Sequence, residues 1–450
     1  MKEEERMSGI EPIAEGKTKR VWEFQGDPKD VILESKNDIT AGDGAKHDVI
    51  VGKGGFSNRT TSAVFRLLQR CGYPVAFIEQ LDETQLRAKR ATMILLEVVA
   101  RREVHGSYRE RNPHLPLGHY LPRLMVEFFA KTRDKLWNDR QIPIDDPLVD
   151  LSGDDALFFM PGWTKDQKEE SKKTGHQGYL VGQRPFLSVP KDEFLAHANC
   201  PREHLLEIKR LTRQVFLVLE KAWQLLGYTL VDFKLEFGWD VDGNLVVADV
   251  IDNDSWRLLD EAREYMDKQV YRDGGNLEKV TRNYRLIAEL ASRFAVPRQR
   301  MILWRGSDKD DVGPFEKALC EYGATNICDL EVVTCSMHKE PVRGVHEILR
   351  LIQEVPDSVI IAYIGRSNGA GPTLSTQVSV PVISVPASWK DFPEDVWSSL
   401  RTPSETPNLT VLEPKNAVLA ALQILAMRNP QIYAELRIRQ EERLSNFVMI

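Results

Sequence analysis

The stretch from Leu230 to Asp252 constrains the fold more than any other part of the chain. In LVDFKLEF, apolar Phe233, Leu235 and Phe237 alternate with charged Asp232, Lys234 and Glu236, the period-two pattern of a strand with one buried face. VDGN supplies a turn and LVVADVID follows, so the segment predicts a β-hairpin. With regular pairing about Asp242 and Gly243, Glu236 falls opposite Asp249 on the polar face. Like charges directly opposite weaken a sheet. A divalent cation such as Mg²⁺ held by both carboxylates beside substrate phosphates removes that conflict. Asp232 lies on the same face two pleats away, and ADVIDNDSWR adds Asp252, Asp254 and Arg257. On alternation alone a solvated strand face with flanking lysines is the slightly better account, because charged strand faces are common. The density of acids beside one arginine favours a metal–phosphate site.

At 450 residues the chain exceeds the roughly 250–300 residues at which single cores stop growing. The net charge of −7 is spread over mixed signs with no basic block, which argues against a nucleic-acid binder and for a small charged substrate. The opening MKEEERMSG has no apolar core, so neither a signal nor a transit peptide is expected. No run of about 18 apolar residues is present to span a membrane. Five cysteines without a CxxC pair suit free thiols in a reducing compartment, and a cytoplasmic protein is expected.

Along the chain, RVWEF and VILES read as strands, SAVFRLLQRCG as a helix closed by Gly72, and Leu205 to Trp223 as a helix closed by Gly227. Residues 1–10 read as a tail and 11–273 as a first domain. Within it, about 131–201 reads as an insertion of long surface loops, because WNDRQIPIDDP, LSGDD and TKDQKEESKKTGHQG are polar and turn-rich. Residues 274–298 read as a helical linker, 299–437 as a second domain and 438–450 as a tail. In the second domain MILW, LEVVTC, VIIAYIG and VPVISVP alternate with helical segments, which predicts a parallel α/β sheet. LAALQILAM reads as a helix docked on its own domain or a neighbour.

Several further motifs carry charge beside small residues. EGKTK, with Gly16, Lys17 and Lys19, suits phosphates but lacks P-loop spacing; an exposed basic turn is the plainer reading. ITAGDGAK ends in Lys46, and VARREVHGS holds Arg101 and Ser107; guanidinium forks bind phosphate or carboxylate, and surface arginines are about as good an account. In the second domain GRSNGAGP (Gly365, Arg366, Ser367, Asn368, Gly369) follows a parallel strand, where such sheets bind ligands. CSMHKEP places His338 and Lys339 after another strand, which makes His338 a candidate acid–base group.

Taken in order, EGKTK, ESKNDITAGD, KGGFSN, RR-x3-GSYRERNP, VEFFAK, LVDFKLEFG, ADVIDNDSWRL and DKQVYRD resemble the succinocarboxamide (SAICAR) synthetase family over residues 11 to about 273. Residues 299 to about 437 resemble the animal-type aminoimidazole ribonucleotide carboxylases, and the fusion looks like the bifunctional purine enzymes of animals. The resemblance implies an α+β, ATP-grasp-like ligase domain followed by a three-layer α/β/α domain. The ligase would use ATP and Mg²⁺ to join aspartate to the ribotide carboxylate. Gly16, Lys17 and Lys19 would hold ATP phosphates and the Met93–Glu97 edge would meet adenine. Glu236 and Asp249 would carry Mg²⁺, with Asp232 nearby. Lys46, Ser57, Asn58, Arg101, Ser107 and Arg257 would bind ribotide phosphate and carboxylates, and Asp38 and Lys131 would line the site. The carboxylase would add CO₂ without ATP or biotin. There His338 would relay the proton, Lys339 and Gly365–Gly369 would hold CO₂ and phosphate, and Ser307 and Asp310 the ribose phosphate. A homo-octamer assembled through this half is implied. A ligase carried on a silent carboxylase-like scaffold, or a ligand-binding module without turnover, are the alternatives.

Overall fold

The computed structural model describes residues 11–41, 46–162 and 184–445. The chain forms two compact units that divide between Ala295 and Val296.

The first unit is α+β. A five-stranded antiparallel sheet runs in the order Ala14–Glu15, Lys19–Glu23, Asp30–Ser35, Gln85–Lys89, Phe77–Gln80. A larger antiparallel sheet runs Leu187–Pro190, Asp155–Phe159, Leu148–Asp150, Tyr120–Ala130, Ala91–Glu103, Thr229–Asp240, Leu245–Ala248, and Trp256–Leu259 also pairs with Thr229–Asp240. The alternation seen in the sequence is kept: Phe233, Leu235 and Phe237 are buried, while Lys234 and Glu236 are only partly covered. Helix Leu205–Gln224 packs its Val215, Phe216, Leu219 and Trp223 stripe on the apolar side of the sheet. Trp223 meets Trp256 and Phe294 edge-on at 5.5 and 4.8 Å between centroids. Each such large apolar side chain contributes about 1.5–3 kcal/mol by leaving water.

The expected surface-loop insertion is corrected. Leu148–Asp150, Asp155–Phe159 and Leu187–Pro190 extend the large sheet, and buried Trp137 packs on Phe158 and Phe194. Apolar residues spaced two apart within polar surroundings made these strands, and the charged neighbours hid them. TKDQKEESKKTGHQG lies outside the described residues, as do Gly42–Ala45 of ITAGDGAK. The expected linker is also corrected. Helix Leu277–Ala291 buries Val280 and Tyr284 against Ile39, Ile50 and Tyr271, so it belongs to the first unit's core.

The second unit holds a five-stranded parallel sheet in the order Asp329–Thr334, Arg300–Arg305, Ser358–Ile364, Val382–Pro386, Leu409–Thr410. Met301, Leu303, Val359 and Ile361 pack on helices Gly313–Glu321 and Pro414–Ala426 on one face. Ile302, Trp304, Ile360 and Ala362 pack on helices Pro341–Glu354 and Ala370–Ser375 on the other. This is a three-layer α/β/α arrangement, and LAALQILAM docks within its own unit. Helix Pro430–Ser445 carries the order past the expected end at 437. In chain order the strands lie 2-1-3-4-5, which puts the switch point, where such sheets take ligands, between Arg300–Arg305 and Ser358–Ile364.

Candidate functional site

Sheet register builds the floor of a cleft in the first unit. Arg101 and Arg257, on strands either side of Thr229–Asp240, are both directly opposite Asp232. Their Nη1 atoms donate to the same Asp232 Oδ2, at 2.8 and 2.6 Å. Burial alone would push this carboxyl up; Arg257 and Arg101 outweigh it and hold it below the usual carboxylate range. Arg101 Nε also donates to Glu127 Oε2 at 2.8 Å and Nη2 to Ser107 Oγ at 3.3 Å, and Arg111 caps Glu127 from the other side. Gly106, at φ 51°, lets Arg257 lie over the backbone where a Cβ would collide with the guanidinium. Arg101, Ser107, Arg257 and Arg272 line the cleft with Glu97, Asp145, Asp146 and Lys234.

Two pleats along the same strand the charges change character. Glu236 lies opposite Glu97, and each is answered by a lysine: Lys131 Nζ reaches Glu236 Oε1 at 3.0 Å, and Lys234 Nζ reaches Glu97 Oε2 at 2.9 Å. Burial opposes ionisation of Glu236, but Lys131, Lys19 and Lys234 together hold its carboxyl low. The expected opposition of Glu236 and Asp249 is corrected. Asp240 N–H donates to Asn244 O at 3.0 Å and Gly243 N–H to Asp240 O at 2.9 Å, closing a three-residue loop with Gly243 at φ 80°. The added residue moves the register by one, and Glu236 pairs with Ala248. Asp249 sits past the end of the strand at φ 63°, an uncommon conformation for a residue with a side chain, and forms an ion pair with Lys19. Burial pushes the Lys19 ammonium down to about 8, with Glu236 pulling the other way.

Asp232 is not gathered with Glu236 and Asp249. No group of three or more His, Cys, Asp or Glu side chains suited to a metal occurs among the described residues, and Asp232 is committed to its two arginines.

Other expected residues sort into two sets. Ser57 lies beside buried Asp252. Lys46 donates to Tyr271 O at 2.9 Å and sits over that ring. Asp38 takes His47 at 2.7 Å. Gly16 N–H closes the EGKTK turn on Lys19 O at 2.9 Å, and Lys17 is exposed. Asn58 is corrected from substrate contact to scaffold. Its Nδ2 donates to the carbonyls of Asp82, Glu83 and Gln85, each at 3.1 Å, and its side chain is fully buried. On the Met93–Glu97 edge, the Leu95 N–H and C=O are taken by Ala198 O and Lys131 N at 2.9 and 3.0 Å, and Met93 lies opposite Gly238.

Reading the sequence alone named Asp252 and Asp254 but passed over the groups that pair with them at the edge of the cleft. Asp254 accepts from Lys53 at 3.1 Å and Tyr284 Oη at 2.5 Å, with Lys268 at 3.6 Å. Burial raises this carboxyl, and Lys53 and Lys268 overcome it and hold it low. Burial, and then Asp254, push Asp252 up. Lys53, Lys268, Glu127 and Arg111 lie within KGGFSN, DKQVYRD, VEFFAK and RERNP; a charge inside each otherwise apolar or turn-forming motif was the available signal.

In the second unit the loops after strands Arg300–Arg305 and Ser358–Ile364 meet at the switch point. Ser307 N–H donates to Asp310 Oδ2 at 3.0 Å, and Asp310 Oδ1 is 3.3 Å from where Gly365 would carry a Cβ. His338 Nε2 is 3.9 Å from the corresponding position on Gly369. His338 and Lys339 are exposed. Asn368 is fully buried, and neither its amide N nor O has a partner among the described residues. Ser367, at φ 56°, gives its N–H to Asp395, so that N–H is already taken. Arg366 stacks on Phe392 at 4.1 Å.

An arginine-floored cleft flanked by lysine-paired carboxylates defines an enzyme acting on small polyanions, joined here to a parallel α/β unit with loops converging at its switch point. A model of the SAICAR synthetase family matches residues 12–152 and 188–289, and one of AIR carboxylase matches 302–445. The human bifunctional phosphoribosylaminoimidazole carboxylase/phosphoribosylaminoimidazole succinocarboxamide synthetase is 36% identical over 442 residues, covering 94% of this chain and 92% of its own. A probable multifunctional protein ADE2 of Caenorhabditis elegans is 33% identical over 441 residues, covering 96% and 93%. The solved phosphoribosylaminoimidazole-succinocarboxamide synthase of Ehrlichia chaffeensis is 26% identical with a TM-score of 0.48, covering 63% of this chain and 99% of that one. The chain belongs to the SAICAR synthetase family, in the form that carries an AIR carboxylase domain behind it.

Proposed function

We propose that the first unit joins aspartate to the carboxylate of carboxyaminoimidazole ribotide with ATP, and that the second carboxylates aminoimidazole ribotide with CO₂. The observation that carries the ligase reading is the pair of arginines locked on Asp232 beside two lysine-answered carboxylates. A ribotide carrying phosphate and carboxylate, an amino diacid and a nucleotide triphosphate bring many negative charges together. Fixed guanidinium and ammonium groups offset them without reorganising during the reaction.

In this reading a ribotide carboxylate oxygen attacks the γ-phosphorus of ATP and ADP leaves. The aspartate amine then attacks the acyl carbon and phosphate departs. Gly16, Lys17 and Lys19 hold the triphosphate, and Lys131 stands over the transferring group. The Met93–Glu97 edge flanks adenine. Arg101, Ser107 and Arg257 hold carboxylate and phosphate, and Lys46, Ser57 and Asp38 border them. Glu236 and Asp249 supply the oxygen donors a hard divalent ion prefers, so they fit Mg²⁺. Asp232, spent on two arginines, is not counted as a ligand. Mg²⁺, when bound, supplies charge neutralisation at the phosphates.

In the second unit the ring carbon of the ribotide attacks CO₂, a C–C bond forms, and His338 removes the proton from that carbon, without ATP or biotin. Ser307, Asp310, Lys339, Arg366 and the loop Gly365–Gly369 border the ribotide phosphate and CO₂. The protein is read as a cytoplasmic homo-octamer with small-molecule partners, neither nucleic acid nor membrane. No helix among the described residues is long and apolar enough to cross a membrane. The test is paired. Full-length protein should form the succinocarboxamide from aspartate, ATP and carboxylated ribotide, and should exchange labelled bicarbonate into that ribotide. His338→Asn should lose only the exchange. An active ligase without exchange in wild-type protein would leave the second unit as a scaffold.

A further inference from the structure

The loop that carries the second unit's ligand groups is fixed from outside by one carboxylate. Ser367 sits at φ 56°, a left-handed conformation that residues with a Cβ avoid. Its N–H is shared between Asp395 Oδ1 at 3.0 Å and Oδ2 at 2.8 Å, charge-assisted bonds of the stronger kind. The turn tightens at once, with Gly369 N–H donating to Ser367 O at 2.7 Å. That fold of the backbone buries the unpartnered Asn368 amide and sets Gly369 beside His338.

Asp395 is itself held firmly. Its short helical turn, Pro393–Val396, runs into helix Trp397–Leu400. There Ser399 O accepts from Asn408 Nδ2 at 2.9 Å, and Asn408 Oδ1 accepts from the buried Ser384 Oγ at 2.9 Å. Ser384 lies in strand Val382–Pro386, so a chain of hydrogen bonds ties the carboxylate's support to the sheet. Arg366 on Phe392 is a second tie between the same two segments.

We infer that Asp395 is the positioning residue of the carboxylation loop: by holding Ser367 left-handed it fixes the turn that packs Asn368 inside and sets Gly369 opposite His338, where CO₂ and the ribotide are read to bind. This rests on the carboxylase reading of the second unit. Without Asp395 the competent loop is a minor conformer, and apparent affinity falls by the fraction populated. The KM for CO₂ should therefore rise while kcat at saturation changes little.

The experiment measures bicarbonate-dependent carboxylation of aminoimidazole ribotide by full-length wild type, Asp395→Ala, Asp395→Asn and the double variant Asp395→Ala/Ser367→Gly. Asp395→Ala should raise the KM for CO₂ by about tenfold or more, the equivalent of one lost charge-assisted hydrogen bond. Asp395→Asn, which keeps one acceptor, should fall between. Glycine takes positive φ freely, so Ser367→Gly in the Asp395→Ala background should recover part of the loss. Ligase turnover by the same preparations should stay unchanged. If Asp395→Ala folds poorly, Asp395→Asn and the double variant carry the test. A KM within twofold of wild type in Asp395→Ala, or a fall in kcat alone that Ser367→Gly does not relieve, overturns the inference. No carboxylation by wild-type protein overturns the carboxylase reading and the inference with it.

Discussion

Arg257 lies across the backbone of Gly106, in the space where any other residue would place its Cβ. Gly106→Ala therefore has two costs. The left-handed φ of 51° disfavours a side chain by about 1–2 kcal/mol, and the methyl drives the guanidinium off Asp232. The expected outcome is a lower melting temperature and a KM for the carboxylated ribotide raised by about tenfold or more. A normal KM in the folded variant would remove Arg257 from substrate binding.

Asp249 combines strain with charge, and the two can be separated. Asparagine tolerates the left-handed region, so Asp249→Asn keeps the kink at φ 63° and loses the anion. Ligase turnover should fall by about two orders of magnitude, the scale of losing one preorganised electrostatic group, with the melting temperature nearly unchanged. Turnover at the wild-type rate, with the usual Mg²⁺ dependence, would refute the metal assignment.

If Lys19 holds ATP phosphates as proposed, nucleotide binding is expected to be sensitive to alkali. Burial places its ammonium at about 8, so the group is charged below that pH and neutral above it. ATP affinity of the free protein should weaken between pH 7 and pH 9, measured by calorimetry. Lys19→Met should bind weakly at both values, without that step. A wild-type affinity independent of pH would exclude Lys19 from the phosphate site.

Tyr284 offers a stability test one side chain back from the cleft, through Asp254. Its hydroxyl donates at 2.5 Å to the half-buried Asp254, and Tyr284→Phe removes one bond to a charged acceptor, worth about 1.5–3 kcal/mol. Denaturant unfolding of the full-length protein should show that loss in the transition of the first unit. An unchanged midpoint would mean that Lys53 and Lys268 satisfy Asp254 by themselves.

The apolar alternation of Phe233, Leu235 and Phe237, the parallel strands after Pro297 and the helices ending near Gly72 and Gly227 were legible because each rests on local periodicity or a local stop signal. Register was less so. The opposition inferred between Glu236 and Asp249 is absent, since Glu236 pairs with Ala248; the acid that does lie opposite it is Glu97 on the other neighbouring strand, which was not named from the hairpin, and two lysines answer the pair. The shape of a turn decides register, and Asp242–Gly243 supports a two-residue or a three-residue loop equally well in sequence. Asn58 and Tyr284 show a second limit. Whether a polar side chain faces substrate or holds a neighbouring loop depends on tertiary contacts that no spacing reports. The helix from Leu277 looked like a connector because its apolar stripe could pack on either side of the boundary.

Strands Asp155–Phe159 and Leu187–Pro190 lie side by side at the margin of the large sheet, with Ala156 opposite Val189. Their antiparallel pairing sets Phe158 directly opposite Leu187, so the ends that any connection must join are already fixed. Loop-closure entropy grows only logarithmically, by about 0.6 kcal/mol per doubling of length. This margin is thus a tolerant seam: by loop-closure entropy alone, a change in the number of residues between the two paired strands is thermodynamically cheap. A reporter domain grafted there should leave both catalytic centres running.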